Sequence, residues 1–450
     1  MDSLKQALGN LPHKAGESIV TNIFILELIK ALGFGQTETV PEFPTGSGTD
    51  TVDFAVRKNT EQDKFIHSQS NPYMLIEVKG RDSNLSDDSS QYNKTVKQLK
   101  RYLLASNCKS AQWGIVTNSQ HIQLFRKHGK VIHPASLNFK ITTANIDQVV
   151  LEIKKKIDSP YNALTVAIYN NKGGVGKTTT TLNLAATLAN FGKRSLIIDF
   201  DPNQQDLTNS LGIKPSQDAL YSWLVNKNDQ YPNNLIMPCK FPINSNFPIR
   251  KKIQFDIIAS DKKLLGFGEE KILQLIDHRR LRQALESFKS EYDYILIDSP
   301  PNWRFFSKSA IYAADVVLIP TKHNSISSLR NVATVIKDYI PEINKIRNDG
   351  SPIALPIFFN GESITASQRL TAQQAINNTI RQAKNDKLNS IDLTQYFYPK
   401  STRTRKDQHI FEIPSYAHIA NAAFSHTPAV CKNRTALSYY EALAKEYFLQ

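Results

Sequence analysis

Cysteine is scarce: the 450-residue chain has three, Cys108, Cys239 and Cys431, far apart and without C-x-x-C spacing. That excludes a disulfide framework and a cysteine-built metal centre, and it fits a reducing compartment. Long apolar runs are missing too. No window reaches the roughly 18 uninterrupted apolar residues of a membrane span, and Met1-Asp2-Ser3-Leu4-Lys5-Gln6 lacks the basic-then-apolar order of a secretory signal. The expectation is a cytoplasmic protein with no membrane partner. Acid is in deficit: 41 Asp and Glu stand against 55 Lys and Arg, a net charge of +14. Both parts of the chain share that excess, which favours a polyanion such as nucleic acid, although solvated lysines give the same balance.

A chain this long exceeds one ordinary core, and its composition changes partway along. The first part mixes a helical stretch at Val20–Leu32 with strand-like runs at Thr51–Val56, Tyr73–Lys79, Gln112–Thr117 and Ile122–Phe125. It closes on an amphipathic helix at Ile146–Ile157, and Asp158-Ser159-Pro160-Tyr161-Asn162 stops that helix. The expected division is therefore a domain over residues 1–157, a linker over 158–162 and a domain over 163–450. From Leu164 apolar strands alternate with helices: Leu164–Tyr169, Ser195–Asp199, Phe255–Ala259, Tyr294–Asp298, Val316–Pro320 and Ala354–Phe359. Strands this apolar are buried on both faces, so the second domain reads as doubly wound α/β with a mainly parallel sheet. Asn226–Lys252, rich in Asn and Pro, reads as a long surface insertion.

One motif dominates. The strand from Leu164 runs into Lys172-Gly173-Gly174-Val175-Gly176-Lys177-Thr178-Thr179, and a helix follows. Strand, glycine-rich turn and helix in that order make a phosphate loop for ATP, whose glycines let backbone N–H groups approach phosphate oxygens at a positive helix end. Lys177 would reach the β- and γ-phosphates, and Thr178 would hold Mg²⁺. Tyr294-Ile295-Leu296-Ile297-Asp298 has the form of a Walker B strand, with Asp298 binding Mg²⁺ through water.

The additional lysine, Lys172, together with Ile197-Ile198-Asp199-Phe200-Asp201-Pro202 and the Asp298 strand, resembles the ParA/MinD family of deviant Walker ATPases over roughly Leu164–Gln450. The resemblance implies that Lys172 crosses an ATP-dependent homodimer to the partner's nucleotide. It also implies that Asp201 orients the attacking water and that Asp199 supports Mg²⁺. Asn203 stands where the family often has Gln. A MinD-like membrane helix is not expected, because Tyr439–Phe448 is slightly acidic, and an iron–sulfur relative would need paired cysteines where only Cys431 occurs. ParA-like DNA binding through late basic residues points to Lys400, Arg403, Arg405, Lys406, Lys432 and Arg434. A solvated loop is the plainer reading of those six.

In the first domain Glu77 and Lys79 lie two residues apart on one strand, hence on one face, and Asp53 sits on another strand. An Asp followed by E-x-K is the arrangement of a metal-dependent phosphodiesterase, in which carboxylates hold Mg²⁺ or Mn²⁺ and the lysine positions or deprotonates a water. Glu17 opens the first helix, and Gln98 and Tyr102 are spaced i,i+4 on a later one. Together these residues resemble the PD-(D/E)xK nuclease fold, as in the amino-terminal domain of type I restriction R subunits, over roughly Gly16–Lys130. The resemblance places Gln98 among the catalytic residues. Val52 replaces the family's usual proline before the first Asp, and His121, His128 and His133 have no metal-ligand spacing.

The expectation is an ATP-binding, DNA-binding ParA-like homodimer coupled to a restriction-endonuclease-like domain that cuts plasmid or foreign DNA. The alternative is a partition ATPase whose first domain binds DNA or an adaptor protein without cleaving.

Overall fold

The computed structural model describes every residue except 1, 88, 227–230, 242–251, 324, 362–363, 388 and 402–404. The chain forms two compact units: Met1–Pro160 with Asn348–Ser351 and Phe448–Gln450, and Tyr161–Arg347 with Pro352–Tyr447.

The first unit is built on β1 (Thr39–Pro44), β2 (Thr51–Val56), β3 (Met74–Val78), β4 (Trp113–Thr117), β5 (His121–His128), β6 (Val131–Pro134) and β7 (Phe139–Lys140). Their order is β1-β2-β3-β4-β5-β6, with β7 beside β5. Only β3 and β4 run parallel, and parallel neighbours need a crossover, which the helix Ser90–Leu103 supplies. Strand alternation separates two apolar faces. Met74, Ile76 and Val78 pack with Leu28, Ile29, Val150 and Ile153 of the helices Leu26–Ala31 and Ile146–Asp158. Leu75 and Val116 pack instead with Leu99, Tyr102 and Leu103 of the crossover helix.

The second unit holds β8 (Leu164–Ile168), β9 (Ser195–Asp199), β10 (Ile236–Phe241), β11 (Ile253–Ile258), β12 (Tyr294–Asp298), β13 (Val316–Leu318), β14 (Pro320–Thr321), β15 (Ile353–Ala354), β16 (Phe358–Asn360) and β17 (Glu412–Ile413). The main sheet runs β10-β11-β9-β12-β8-β13-β15, and β14, β16 and β17 form a smaller parallel sheet. Helices cover both faces, as a doubly wound parallel sheet requires. Leu196, Ile198, Ile295 and Ile297 meet the helices Ala219–Val225 and Arg280–Leu285. Ala167 and Val317 meet Ile326–Thr334 and Ala366–Lys384.

Two expectations are corrected. Asn226–Lys252 is more than a surface insertion: among its described residues Ile236–Phe241 adds an antiparallel edge strand to β11. Its signal was weak because alternation along an edge leaves only Cys239 and Phe241 buried. The runs Val316–Pro320 and Ala354–Phe359 are each divided between the two sheets, where Pro320 begins β14 and Pro356 lies between β15 and β16. Proline cannot donate to a central ladder, so it marks strand ends.

A buried ion pair ties this unit together. The Arg347 guanidinium lies 3.5 Å from Asp315 Oδ1, with both side chains almost fully covered, and Asp315 Oδ2 accepts the Thr165 N–H at 3.0 Å. Removing one partner strands a charge and an amide, so Asp315→Ala is expected to lower the unfolding free energy by about 3 kcal/mol, read by urea titration.

Candidate functional site

Parallel register brings the chemistry of the second unit to one sheet edge. Asp298 is paired with Ile168 on one side and with Asp199 on the other, so β8, β9 and β12 end together. Carboxyl ends of strands are where open α/β sheets take ligands. The loop leaving β8 closes into the helix Lys177–Asn190 through Gly174 and Gly176, at φ +71° and +85°. Gly176 is doubly constrained, since an added Cβ would lie 2.1 Å from Asn360 Nδ2. A Cβ at Gly173 or Gly174 would meet nothing within 4 Å, so the outer rim of the loop is open.

Lys177 is buried and donates to the Lys172 carbonyl at 3.0 Å. Burial lowers its pKa against the opposing pull of Asp298, Asp201 and Asp206. Thr178 Oγ1 donates to Asp298 Oδ2 at 2.6 Å. Burial, and then the Asp199 charge, push the Asp298 carboxyl well above the usual range. Its Oδ1 is buried with no hydrogen-bond partner. A desolvated carboxylate with a spare oxygen, next to a threonine hydroxyl, is a donor set that suits a hard divalent cation. Lys172 is exposed, and Thr179 is partly exposed. Val175 is buried, its carbonyl accepting Asn360 Nδ2 at 3.0 Å.

The two carboxylates after β9 have different surroundings. Asp199 Oδ2 accepts from Thr208 N at 2.8 Å and Thr208 Oγ1 at 2.6 Å, anchoring the helix Asp206–Ser210. Burial raises its pKa to about 6. These contacts anchor that helix beside Asp298, whose carboxyl feels the Asp199 charge. Asp201 Oδ1 accepts the Asn203 and Gln204 N–H groups at 3.1 and 3.2 Å, and burial raises its pKa.

In the first unit Phe54 pairs with Ile76 in antiparallel register, and continuing that register sets Asp53 opposite Glu77. Val78 N donates to Asp53 Oδ2 at 2.6 Å. Lys79 Nζ lies 2.8 Å from Glu77 Oε1 and 3.4 Å from Glu17 Oε2. Glu77 is 1% exposed and its Oε2 has no partner. Burial, then the Asp53 charge, raise it to about 7, while Asp53 is raised by burial against the Val78 N–H. Although burial opposes it, the Lys79 ammonium is held charged by Glu77, Glu17 and Asp53. The cost of the pair falls on the deeper acid. Gln98 donates to the Tyr102 hydroxyl at 2.8 Å, and its helix covers the sheet face that carries Leu75 and, by alternation, Glu77. The spare Glu77 oxygen beside Asp53 is compatible with a cation. Still, among the described residues no three His, Cys, Asp or Glu side chains gather as a ready metal cage.

Sequence reasoning missed Asn360 and Thr208. Asn360 sits at the carboxyl end of the apolar Phe358-Phe359-Asn360 strand, and that position was its only signal. Of the late basic residues, Lys400 pairs with Glu446 at 3.4 Å, Arg405, Lys406, Lys432 and Arg434 are exposed, and Arg403 lies outside the described residues.

Fold and loop define the second unit as a P-loop nucleotide-binding domain, and the first as an α/β sheet domain with an acid–lysine edge. Residues 163–349 match the family model of an AAA domain, and residues 16–139 match the type I restriction enzyme R protein N terminus. The sporulation initiation inhibitor protein Soj of Bacillus subtilis is 35% identical over 182 residues, covering 39% of this chain and 66% of Soj. The chromosome partitioning protein ParA of Myxococcus xanthus is 38% identical over 157 residues, 34% of this chain and 50% of that protein. The chain thus spans about half to two thirds of the length of these curated relatives. The solved structure of apo McdA from Cyanothece aligns at 20% identity and TM-score 0.47, covering 63% of this chain and 99% of McdA. Residues 163–349 are thus similar to ParA/MinD-type ATPases, and residues 16–139 to the restriction R-subunit amino-terminal family.

Glu77 yields a pH prediction. The folded protein holds the Glu77 proton to about 7 against an ordinary 4.5, so the stability it contributes is complete below the lower value and lost as pH rises through the upper, about 3 kcal/mol at most. In EDTA, urea unfolding is expected to show Glu77→Gln gaining on wild type as pH rises from about 4.5 to about 7, with little further change above. A gap independent of pH would contradict this.

Proposed function

We propose that this chain is an ATP-hydrolysing switch that closes into a homodimer around ATP, binds DNA through phosphate contacts and carries a metal-dependent deoxyribonuclease in its first unit, acting on plasmid or foreign DNA. The observation that carries the reading is the presence on one chain of the Lys177–Thr178–Asp298 arrangement and the Asp53–Glu77–Lys79 arrangement, each with a buried carboxylate oxygen left without a partner.

In this reading the backbone N–H groups of Gly173–Gly176 cradle the phosphates, and the Lys177 ammonium turns from the Lys172 carbonyl to the β- and γ-oxygens. Thr178 and Asp298 would hold Mg²⁺, with Asp199 supporting the ion or its water shell while it anchors the neighbouring helix. When bound, Mg²⁺ neutralises charge that builds on the phosphate oxygens. Asp201, set by two backbone N–H groups, orients the attacking water. Lys172, exposed at the loop's outer end, would complete the second protomer's site. Asp53 and Glu77 would hold Mg²⁺ or Mn²⁺, with Lys79 positioning a water and Gln98 supporting from the crossover helix. The exposed Lys400, Arg405, Lys406, Lys432 and Arg434 would contact DNA phosphates.

A second reading, a partition ATPase whose first unit binds DNA or an adaptor protein without cutting, is favoured by the lack of a three-ligand cluster among the described residues. Supercoiled plasmid incubated with ATP and Mg²⁺ or Mn²⁺ separates the two. Wild type is expected to nick or linearise it. Glu77→Ala should abolish cutting and retain ATPase activity, and Lys177→Ala should lower ATP hydrolysis by about 100-fold. An intact plasmid under conditions that support ATP hydrolysis would leave the second reading. DNA retention is expected to be stronger with ATP and to fall steeply with salt, and equal retention with and without ATP would count against an ATP-gated contact.

A further inference from the structure

Trp303, five residues past Asp298, and Tyr339 lie face to face, with ring centroids 4.0 Å apart and planes within 2°. The Tyr339 hydroxyl accepts from Asn171 Nδ2 at 3.1 Å, and Asn331 Nδ2 donates to the Asn171 carbonyl. Asn171 immediately precedes Lys172. On the other side of the stack, Trp303 Nε1 donates to Glu342 Oε2 at 3.0 Å, and Lys308 Nζ bonds Glu342 Oε1 at 2.9 Å. Tyr169, at the base of the same loop, donates to the Pro301 carbonyl at 3.1 Å and lies 6.0 Å from Trp303. The arm that presents Lys172 is therefore fastened at Tyr169 to the segment that follows Asp298, and at Asn171 to a helix whose Tyr339 ring stacks on Trp303 of that segment.

The backbone explains how one helix delivers both contacts to Asn171. Asn331 and Tyr339 are eight residues apart, which on a regular α-helix turns their side chains roughly 80° from each other. Between them Val335–Tyr339 is a π-turn. Its one-residue widening makes the spacing equivalent to seven α-helical residues, about 20° from alignment. Single π-turns are frequent at functional sites. Here the widening has an identified product, which is a two-point grip on the residue before Lys172.

We infer that Asn331, Tyr339 and Trp303 are positioning residues that fix the backbone under Lys172 relative to the segment after Asp298, and so set the turnover rate of the phosphate-loop site. The inference rests on the ATPase reading above. An exposed lysine on a glycine loop samples many rotamers, and aiming it at a phosphate outside its own site requires that its Cα be held. Ring stacking supplies that stiffness without occupying the phosphate cradle.

A double-mutant cycle on the full chain tests it. Tyr339→Phe keeps the ring and removes the hydroxyl, and Asn331→Ala removes the other grip. ATP hydrolysis is measured for each in the wild-type and Lys172→Ala backgrounds. Each is expected to lower kcat about ten-fold, with KM within about two-fold, when Lys172 is present, and to change kcat less than two-fold when it is absent. Unchanged kcat, or equal losses in both backgrounds, would overturn the inference while leaving the ATPase reading intact. A wild-type chain that hydrolyses no ATP would overturn that reading and this inference with it.

Discussion

Everything in the second unit depends on three parallel strands ending at one level. Because Asp298 is in register with both Ile168 and Asp199, the phosphate loop, the Asp199–Asp201 segment and the segment after β12 leave the sheet side by side. Asp298 is thereby held out of water, bonded to Thr178 and near Lys177, with one oxygen unpartnered. Left alone, that carboxylate is costly to ionise. Its cost falls when a cation approaches, so the fold stores at this edge a preference for a charged ligand.

The same edge distributes mechanical ties. Asp199 spends its carboxylate on Thr208, and Thr208 Oγ1 in turn accepts the Ser260 N–H at 2.9 Å, linking the helix Asp206–Ser210 to the end of β11. Asn360 reaches from β16 to the Val175 carbonyl and makes Gly176 a position without room for a side chain. The Trp303–Tyr339 stack reaches the same loop through the Tyr339 hydroxyl on Asn171. The loop is braced at its base while its outer glycines face open space, which combines rigidity with access for phosphate.

Much of this was legible in the sequence because it is local. A strand running into Lys172–Thr179 and then into a helix leaves few alternatives, and the apolar runs ending in Asp199 and Asp298 match their strands residue for residue. Glu77 and Lys79 were readable as one face of a strand for the same reason. Non-local relations were not readable. The opposition of Asp53 and Glu77 is a matter of antiparallel register, the engagement of Asp199 by Thr208 is a hydrogen bond across a turn of irregular chain, and the edge strand Ile236–Phe241 carries Pro238 and alternates only over its last three residues. Asn360 carried no signal beyond its place at a strand end. The π-turn that aligns Asn331 with Tyr339 leaves no mark in residue type at all.

We propose that Lys172 serves a site on a second copy of the chain, which would make ATP hydrolysis a property of the pair. The most direct measurement is specific ATPase activity as a function of protein concentration at saturating ATP and Mg²⁺. Activity per protomer is expected to rise with concentration to a plateau, and this rise is expected to disappear in Lys172→Ala. Activity per protomer that is constant across the range, in a wild-type protein that hydrolyses ATP, would contradict it.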